Sequence, residues 1–177
     1  VRRILGVRTK VFPMSETPTD LIAFYPEGRS RVGEISVDEM SIMPKNLLLA
    51  PLVKSIEPCI KAINNADLII LGPGSFLTSI IPPLLVRDIS NAIANRKGHC
   101  VFIDNVVLEN SPAAKLTLDE KLNWIEANIG CLPIDSVICQ DPSVLSSKIN
   151  VICRDLVHQK SPHHHDKKKL IDALLIA

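Results

Sequence analysis

Apolar and polar positions along the chain change their spacing partway through. Over the first third, the runs at 10–15, 20–25 and 31–37 are short and β-branched or apolar, and Pro26, Glu27 and Gly28 interrupt them. Short runs bounded by turn residues predict a small antiparallel meander. A further run at 46–50 stops at Pro51 and predicts one more strand. Beyond it the period lengthens. Ile56, Ile60 and Ile63 fall on one helical face over 55–65, with Ser55 placed to cap it. Leu68, Ile69, Ile70 and Leu71 then run together without a polar break. Such a run predicts a strand buried on both faces, as in a parallel sheet.

Residues 83–95 predict a helix with Leu84, Leu85, Ile89, Ala92 and Ile93 on its inner side. Pro82 and Pro83 fit its first turn, where a missing N–H costs nothing, and Gly98 follows its end. Residues 99–103 predict a second buried strand, so 68–103 is a βαβ unit with the usual right-handed crossover. Thr117 with Glu120 three residues on is a capping box, opening a helix over 117–129 that Gly130 stops. Its apolar positions are Leu118, Leu122, Trp124, Ile125 and Ile129. Residues 136–139 and 149–153 are candidate strands. A last amphipathic helix over 167–176 turns Leu170, Ile171, Leu174 and Leu175 inward, with Asp166 as its cap. The opening residues 1–7 resemble the end of a helix. A start at Val1 inside an element suggests a processed or truncated product, or a non-standard start codon.

Composition narrows the class. The 177 residues are 46% hydrophobic, enough for one α/β domain with a substantial core. A net charge of +1 provides no broad field for nucleic acid or a membrane surface, and 3% aromatics is too few for base-stacking platforms. Five cysteines without a CxxC pair suggest reduced, mostly buried thiols in a cytoplasmic protein. No apolar stretch reaches the roughly 18 residues a membrane span needs.

Candidate chemistry concentrates where the apolar run meets Gly72, Pro73, Gly74 and Ser75. A glycine turn between strand and helix lets backbone approach a ligand, and the free N–H groups of the helix start attract anions. The alternative is a plain tight turn. Thr78 and Ser79 supply hydroxyls that either bind phosphate oxygens or cap the helix, and capping suits Ser79 better. Pro73 removes one donor and the loop holds no Lys or Arg, so the positive charge for a phosphate must come from elsewhere. Asp104 and Asn105 end the second buried strand, on the same side as the glycine loop. They contact ligand or metal, or they form a strand-end turn. Asn105 is the better ligand candidate, and Asp104 is the local candidate for a divalent metal. His163, His164 and His165 fit a solvated loop better than a metal centre, since adjacent imidazoles rarely converge on one ion.

With these residues in place, the chain resembles the YvcK/CofD-like family, which includes the gluconeogenesis factors. The resemblance is carried by FPMSE at 12–16, Gly33-Glu34, Ala62-Ile63 and, above all, ADLIILGPGSFLTSIIPPLL at 66–85. Asn105 and His165-Asp166 fall where the family has Asn and His-Asp. It extends over nearly the whole chain and is nearest the bacterial YbhK-type branch. It implies a Rossmann-like three-layer fold with a parallel or mixed sheet beside the N-terminal meander. It also implies relationship to a metal-dependent phospholactyl transferase. For the bacterial branch it implies a regulator that binds a UDP-sugar or related nucleotide and is required for normal cell shape on gluconeogenic carbon sources. Gly72, Gly74, Ser75, Thr78, Ser79, Asn105 and His165 would line the ligand crevice.

Two departures accompany it. Relatives have a glycine-rich loop on a first strand and an Asp followed by Gly-Gly-Ser, and neither occurs here. Residues 1–177 therefore correspond to the C-terminal part of one domain, incomplete relative to the family, with an open sheet edge and a second half or a homo-oligomeric partner to complete it. Asn110-Ser111 also replaces a more glycine-rich stretch. Three functions follow: a nucleotide-sugar-binding regulator, a metal-dependent transferase, or a truncated remnant without function. The residues show no nucleophile–base pair, which favours binding over catalysis.

Overall fold

The computed structural model describes residues 9–177, so the expected helix end at 1–7 lies outside the described residues. Strands β1 (Asp20–Phe24), β2 (Ser30–Val32) and β3 (Asn46–Ala50) form an antiparallel sheet in the order β2-β1-β3. Leu21 pairs with Leu49 and Ala23 with Leu47, which puts one apolar row on the core side. The meander is there, but shorter than its apolar runs. Residues 10–15 form no strand, and the run at 31–37 divides at Gly33. Gly33 has φ +89, a left-handed conformation that ends β2, and helix α1 (Glu34–Asp38) follows at once.

Helix α2 (Glu57–Asn64) begins after Ile56 in extended backbone and has no side-chain cap. Ser55 does not serve that role; its backbone N–H donates to Asp88 instead. The second sheet is fully parallel, β4 (Leu68–Leu71), β5 (His99–Ile103), β6 (Ser136–Cys139) and β7 (Asn150–Cys153), in that order. β5 and β6 are buried. β4 is not buried on both faces: it is an edge of the sheet, pairing with β5 alone among the described residues, and Leu68 and Ile70 are 37% and 43% exposed. An unbroken apolar run reports on hydrophobicity, not on whether a neighbouring strand is present.

The helix expected over 83–95 starts earlier and breaks in the middle. A π-helical turn (Phe76–Ile80) runs into α3 (Ile81–Leu85), and α4 (Arg87–Ala94) follows. The N–H of Ile80 donates to the Ser75 carbonyl at 3.1 Å, the five-residue spacing of a π turn. Pro82 and Pro83 sit in the first turn of α3, where they have no N–H to donate. Between α3 and α4 the β-branched Val86 turns to extended backbone and buries its side chain. Helix α5 (Leu118–Ile129) has the expected capping box and ends at Gly130, φ +86.

The sheet separates two apolar layers. Cys100, Phe102 and Val137 face the larger core with the meander, α3, α4 and α5. The alternate residues Val101, Ile138 and Ile152 face a smaller one with Leu156 and Ala173. That second layer is made by Leu156, just before the hairpin of β8 (Val157–His158) and β9 (Ser161–His165), and by helix α6 (Lys167–Leu174), capped by Asp166 as expected. Leu170 and Leu174 pack inward, but Ile171 and Leu175 are exposed. The apolar layer on this face is small, so a single stripe of the helix covers it. Among the described residues, no helix is long and apolar enough to cross a membrane.

Candidate functional site

Parallel strands deliver their carboxyl ends to one side of a sheet, and connections leaving that side form a crevice. Here β4, β5 and β6 deliver the glycine loop, Asp104-Asn105 and Gln140-Asp141. The loop turns at Gly72, φ +86, where a Cβ would approach both the Ile103 carbonyl and the Ile80 side chain to 3.0 Å. At Gly74 a Cβ would come equally close to Ser79 Cβ. Both glycines let the loop fold tightly on its own neighbours.

The loop's polar groups have partners within the chain. The Ser75 hydroxyl donates to Asp38 Oδ1 at 3.0 Å, and the Thr78 hydroxyl to Asp38 Oδ2 at 2.8 Å. The N–H of Phe76, first in the π turn, donates to Glu109 Oε2 at 2.9 Å. Carboxylates from α1 and from the segment after β5 therefore occupy positions at which an anion would meet the turn. Ser79 is exposed, and its N–H bonds the Ser75 carbonyl. Asn105 Nδ2 donates to the Gly74 carbonyl at 3.1 Å, locking the ends of β4 and β5 together.

Asp104 is the hub of the other half. Its N–H bonds the Ile138 carbonyl, and its own carbonyl accepts from His165 Nε2 at 3.1 Å. His165 thus reaches the end of β5 from β9, while His163 and His164 are exposed. Asp104 Oδ1 accepts from Lys121 Nζ at 3.1 Å. Lys121 is 8% exposed, an ammonium drawn inside the fold to this carboxylate. A cavity of about 300 Å³ opens beside the pair. Asp104, Asn105, Glu109, Lys121, Gln140 and Asp141, with Thr117, form its polar wall. The Ser143 hydroxyl and N–H hold the Asp141 carboxyl below the ordinary carboxylate range. Gln140 is itself fixed, accepting the Leu156 N–H on its side-chain oxygen.

A divalent metal needs several oxygen or nitrogen ligands converging on one point. Asp104 is engaged by Lys121, and no group of three His, Cys, Asp or Glu among the described residues is placed to hold an ion. The donor set as folded does not fit a metal held by this chain alone. The cysteines are free thiols; burial first of all pushes Cys100 and Cys139 up to about 12, which keeps them protonated and unreactive.

The structure thus places Gly72, Gly74, Ser75, Thr78, Asn105 and Asp104 at the carboxyl end of the sheet, with His165 on the Asp104 carbonyl; of these, Asp104 and Asn105 line the cavity, and the glycine loop and His165 lie outside its lining. Asp38, Glu109 and Lys121 are partners that sequence reasoning missed. For Lys121 a signal existed: it lies three residues after Leu118 and four before Ile125, on the helix's inner stripe. Asp38 and Glu109 are remote in sequence from the groups they bind, and no local pattern marks them.

Comparisons with known proteins agree with one another. A family model described as "2-phospho-L-lactate transferase CofD" matches residues 1–176. A "Putative gluconeogenesis factor" from Pasteurella multocida is 38% identical, covering 98% of this chain and 58% of its own length. Another from Vibrio cholerae is 40% identical over 98% of this chain and 60% of its own length. A "Gluconeogenesis factor" from Bacillus subtilis is 32% identical over 80% of this chain. The crystal structure of a UPF0052 family member from Bacillus halodurans superposes with a TM-score of 0.84 at 26% identity, covering 98% of this chain and 64% of that one. The chain therefore spans 58–60% of the length of the two curated relatives from Pasteurella and Vibrio.

Proposed function

Since the chain belongs to the CofD family, and its relatives there are named as gluconeogenesis factors, we propose that it is part of a cytoplasmic regulator that binds a UDP-sugar. That regulator supports normal cell shape during growth on gluconeogenic carbon. The supporting observation is the polar crevice at the carboxyl ends of β4, β5 and β6, where Asn105 ties the glycine loop to the strand that carries Asp104. Open α/β sheets hold their ligands at such a place. The crevice holds hydrogen-bonding groups without a nucleophile and base in contact, which suits binding rather than turnover.

Calorimetric titration with a UDP-sugar tests this, on the 177-residue chain and in parallel on the Pasteurella multocida relative. Saturable binding without product is expected. No saturable heat from either protein would overturn the proposal.

A second function, a transferase acting on a nucleotide-activated phospholactate, is favoured by the description of the matching family model. The donor set around Asp104 does not favour it. Product formed from nucleotide-activated phospholactate and a deazaflavin acceptor, with a divalent metal present, would establish it. No product from either protein under those conditions would remove it.

A further inference from the structure

The cavity beside Asp104 has a charge balance that selects its ligand. Its wall carries the carboxylates of Asp104, Glu109 and Asp141 against the single ammonium of Lys121, with no Arg or His among the described lining residues. That ammonium is already paired with Asp104. A phosphate group placed here would add negative charge to a wall that is negative in sum, in a partly enclosed site where such repulsion is weakly screened. Phosphate is the wrong chemistry for this cavity.

Hydrogen-bond supply points the same way. Glu109 binds the Phe76 N–H through Oε2, while its Oε1 is buried with no partner. A buried acceptor without a donor is costly, and a ligand that brings an O–H or N–H relieves the cost. A deprotonated phosphate has no hydrogen to give. A sugar hydroxyl has one, and it also accepts, so the same ring can receive a hydrogen bond from Lys121 or Asn105. Val106, Leu116 and Val144 are among the apolar residues of the wall, a surface against which the C–H face of a ring can lie. A volume of about 300 Å³ is at the small end of ligand pockets.

We propose that this cavity seats a neutral polyhydroxylated ring: the sugar end of the ligand, held by Glu109, Asp104 and Lys121, with the phosphates lying outside it. This rests on the UDP-sugar assignment made above and specifies which part of that ligand the chain discriminates.

The test compares UDP-sugar with UDP by calorimetry on the chain and on Glu109→Gln and Asp104→Asn. Glu109→Gln retains an acceptor for the Phe76 N–H, as an unchanged melting temperature would verify, whereas Asp104→Asn leaves the Lys121 ammonium without its counter-charge and is titrated well below its lowered melting temperature. The unsubstituted chain should bind the UDP-sugar about tenfold more tightly than UDP, the scale of one charge-assisted hydrogen bond. Glu109→Gln should erase most of that difference, bringing UDP-sugar affinity down towards that of UDP. Equal affinities for UDP and UDP-sugar would overturn the sugar seat while leaving UDP-sugar recognition standing. An unchanged preference for the UDP-sugar in Glu109→Gln would overturn it too, by taking Glu109 out of the seat. Binding of neither ligand would overturn both proposals.

Discussion

Gly98 has no room for a side chain. A Cβ there would run into the carbonyl oxygens of Ala66 and Asp67, backbone atoms that cannot move aside. Gly130 is the opposite case: its φ of +86 calls for glycine, but nothing lies within 4 Å. Gly98→Ala should therefore lower stability by about 2–3 kcal/mol, the scale of overpacking a well-filled site. Gly130→Ala should cost about 1 kcal/mol, the conformational term alone. Urea unfolding of the two variants separates these outcomes. The Lys121–Asp104 pair supports a similar contrast. Asp104→Ala strands an ammonium inside the fold and should cost about 3–5 kcal/mol, whereas a Lys121→Met, Asp104→Leu double substitution should recover most of it. Equal losses in the two proteins would show that the pair stabilises by its attraction and not by mutual neutralisation.

Asp135, between α5 and β6, governs how the turn before β5 joins the sheet. Its carboxylate accepts the Cys100 N–H at 2.7 Å and pairs with the Arg96 guanidinium. Burial pushes its pKa up, but the Cys100 N–H and Arg96 outweigh that and hold it below the ordinary 3.8. A depressed value stabilises the fold above pH 3.8 and loses that contribution as pH falls through the folded pKa. Asp135→Ala should be less stable at neutral pH and should show a shallower loss of stability on acidification, as read from melting temperatures between pH 7 and pH 3. Elements of this kind were partly legible in the sequence. The capping box at Thr117 and the Asp166 cap depend on neighbours three residues away and could be read directly. The end of β2 at Gly33 and the break at Val86 could not. Each depends on a backbone turn that lets the chain pack on distant residues, and apolar periodicity carries no record of it. The same limit hid Asp38, whose partners Ser75 and Thr78 are 37 and 40 residues away.

Among the described residues the parallel sheet is covered on both faces and ends in two edge strands, β4 and β7. β4 presents an unpaired edge, with Leu68 and Ile70 partly in solvent among the described residues. Exposed apolar edges pair with other chains, and a lysine on the edge blocks this. Ile70→Lys should reduce concentration-dependent association, measured by light scattering, while lowering the melting temperature by no more than a few degrees. An unchanged concentration dependence would mean that β4 is not the contact.

The small apolar layer under α6 has a kinetic consequence. Leu156 and Ala173 are its buried contributions from outside the sheet, and Ile171 and Leu175 point away from it. Local opening is cheapest where few apolar contacts must be given up. The C-terminal helix and its hairpin should therefore detach as a unit while the rest stays folded. Under native conditions the amides of α6 should exchange with deuterium well before those of β5, and with them the clasp between His165 and the Asp104 carbonyl would open. The strand end that carries Asp104 would thus have a support that breathes on its own timescale, independent of global unfolding.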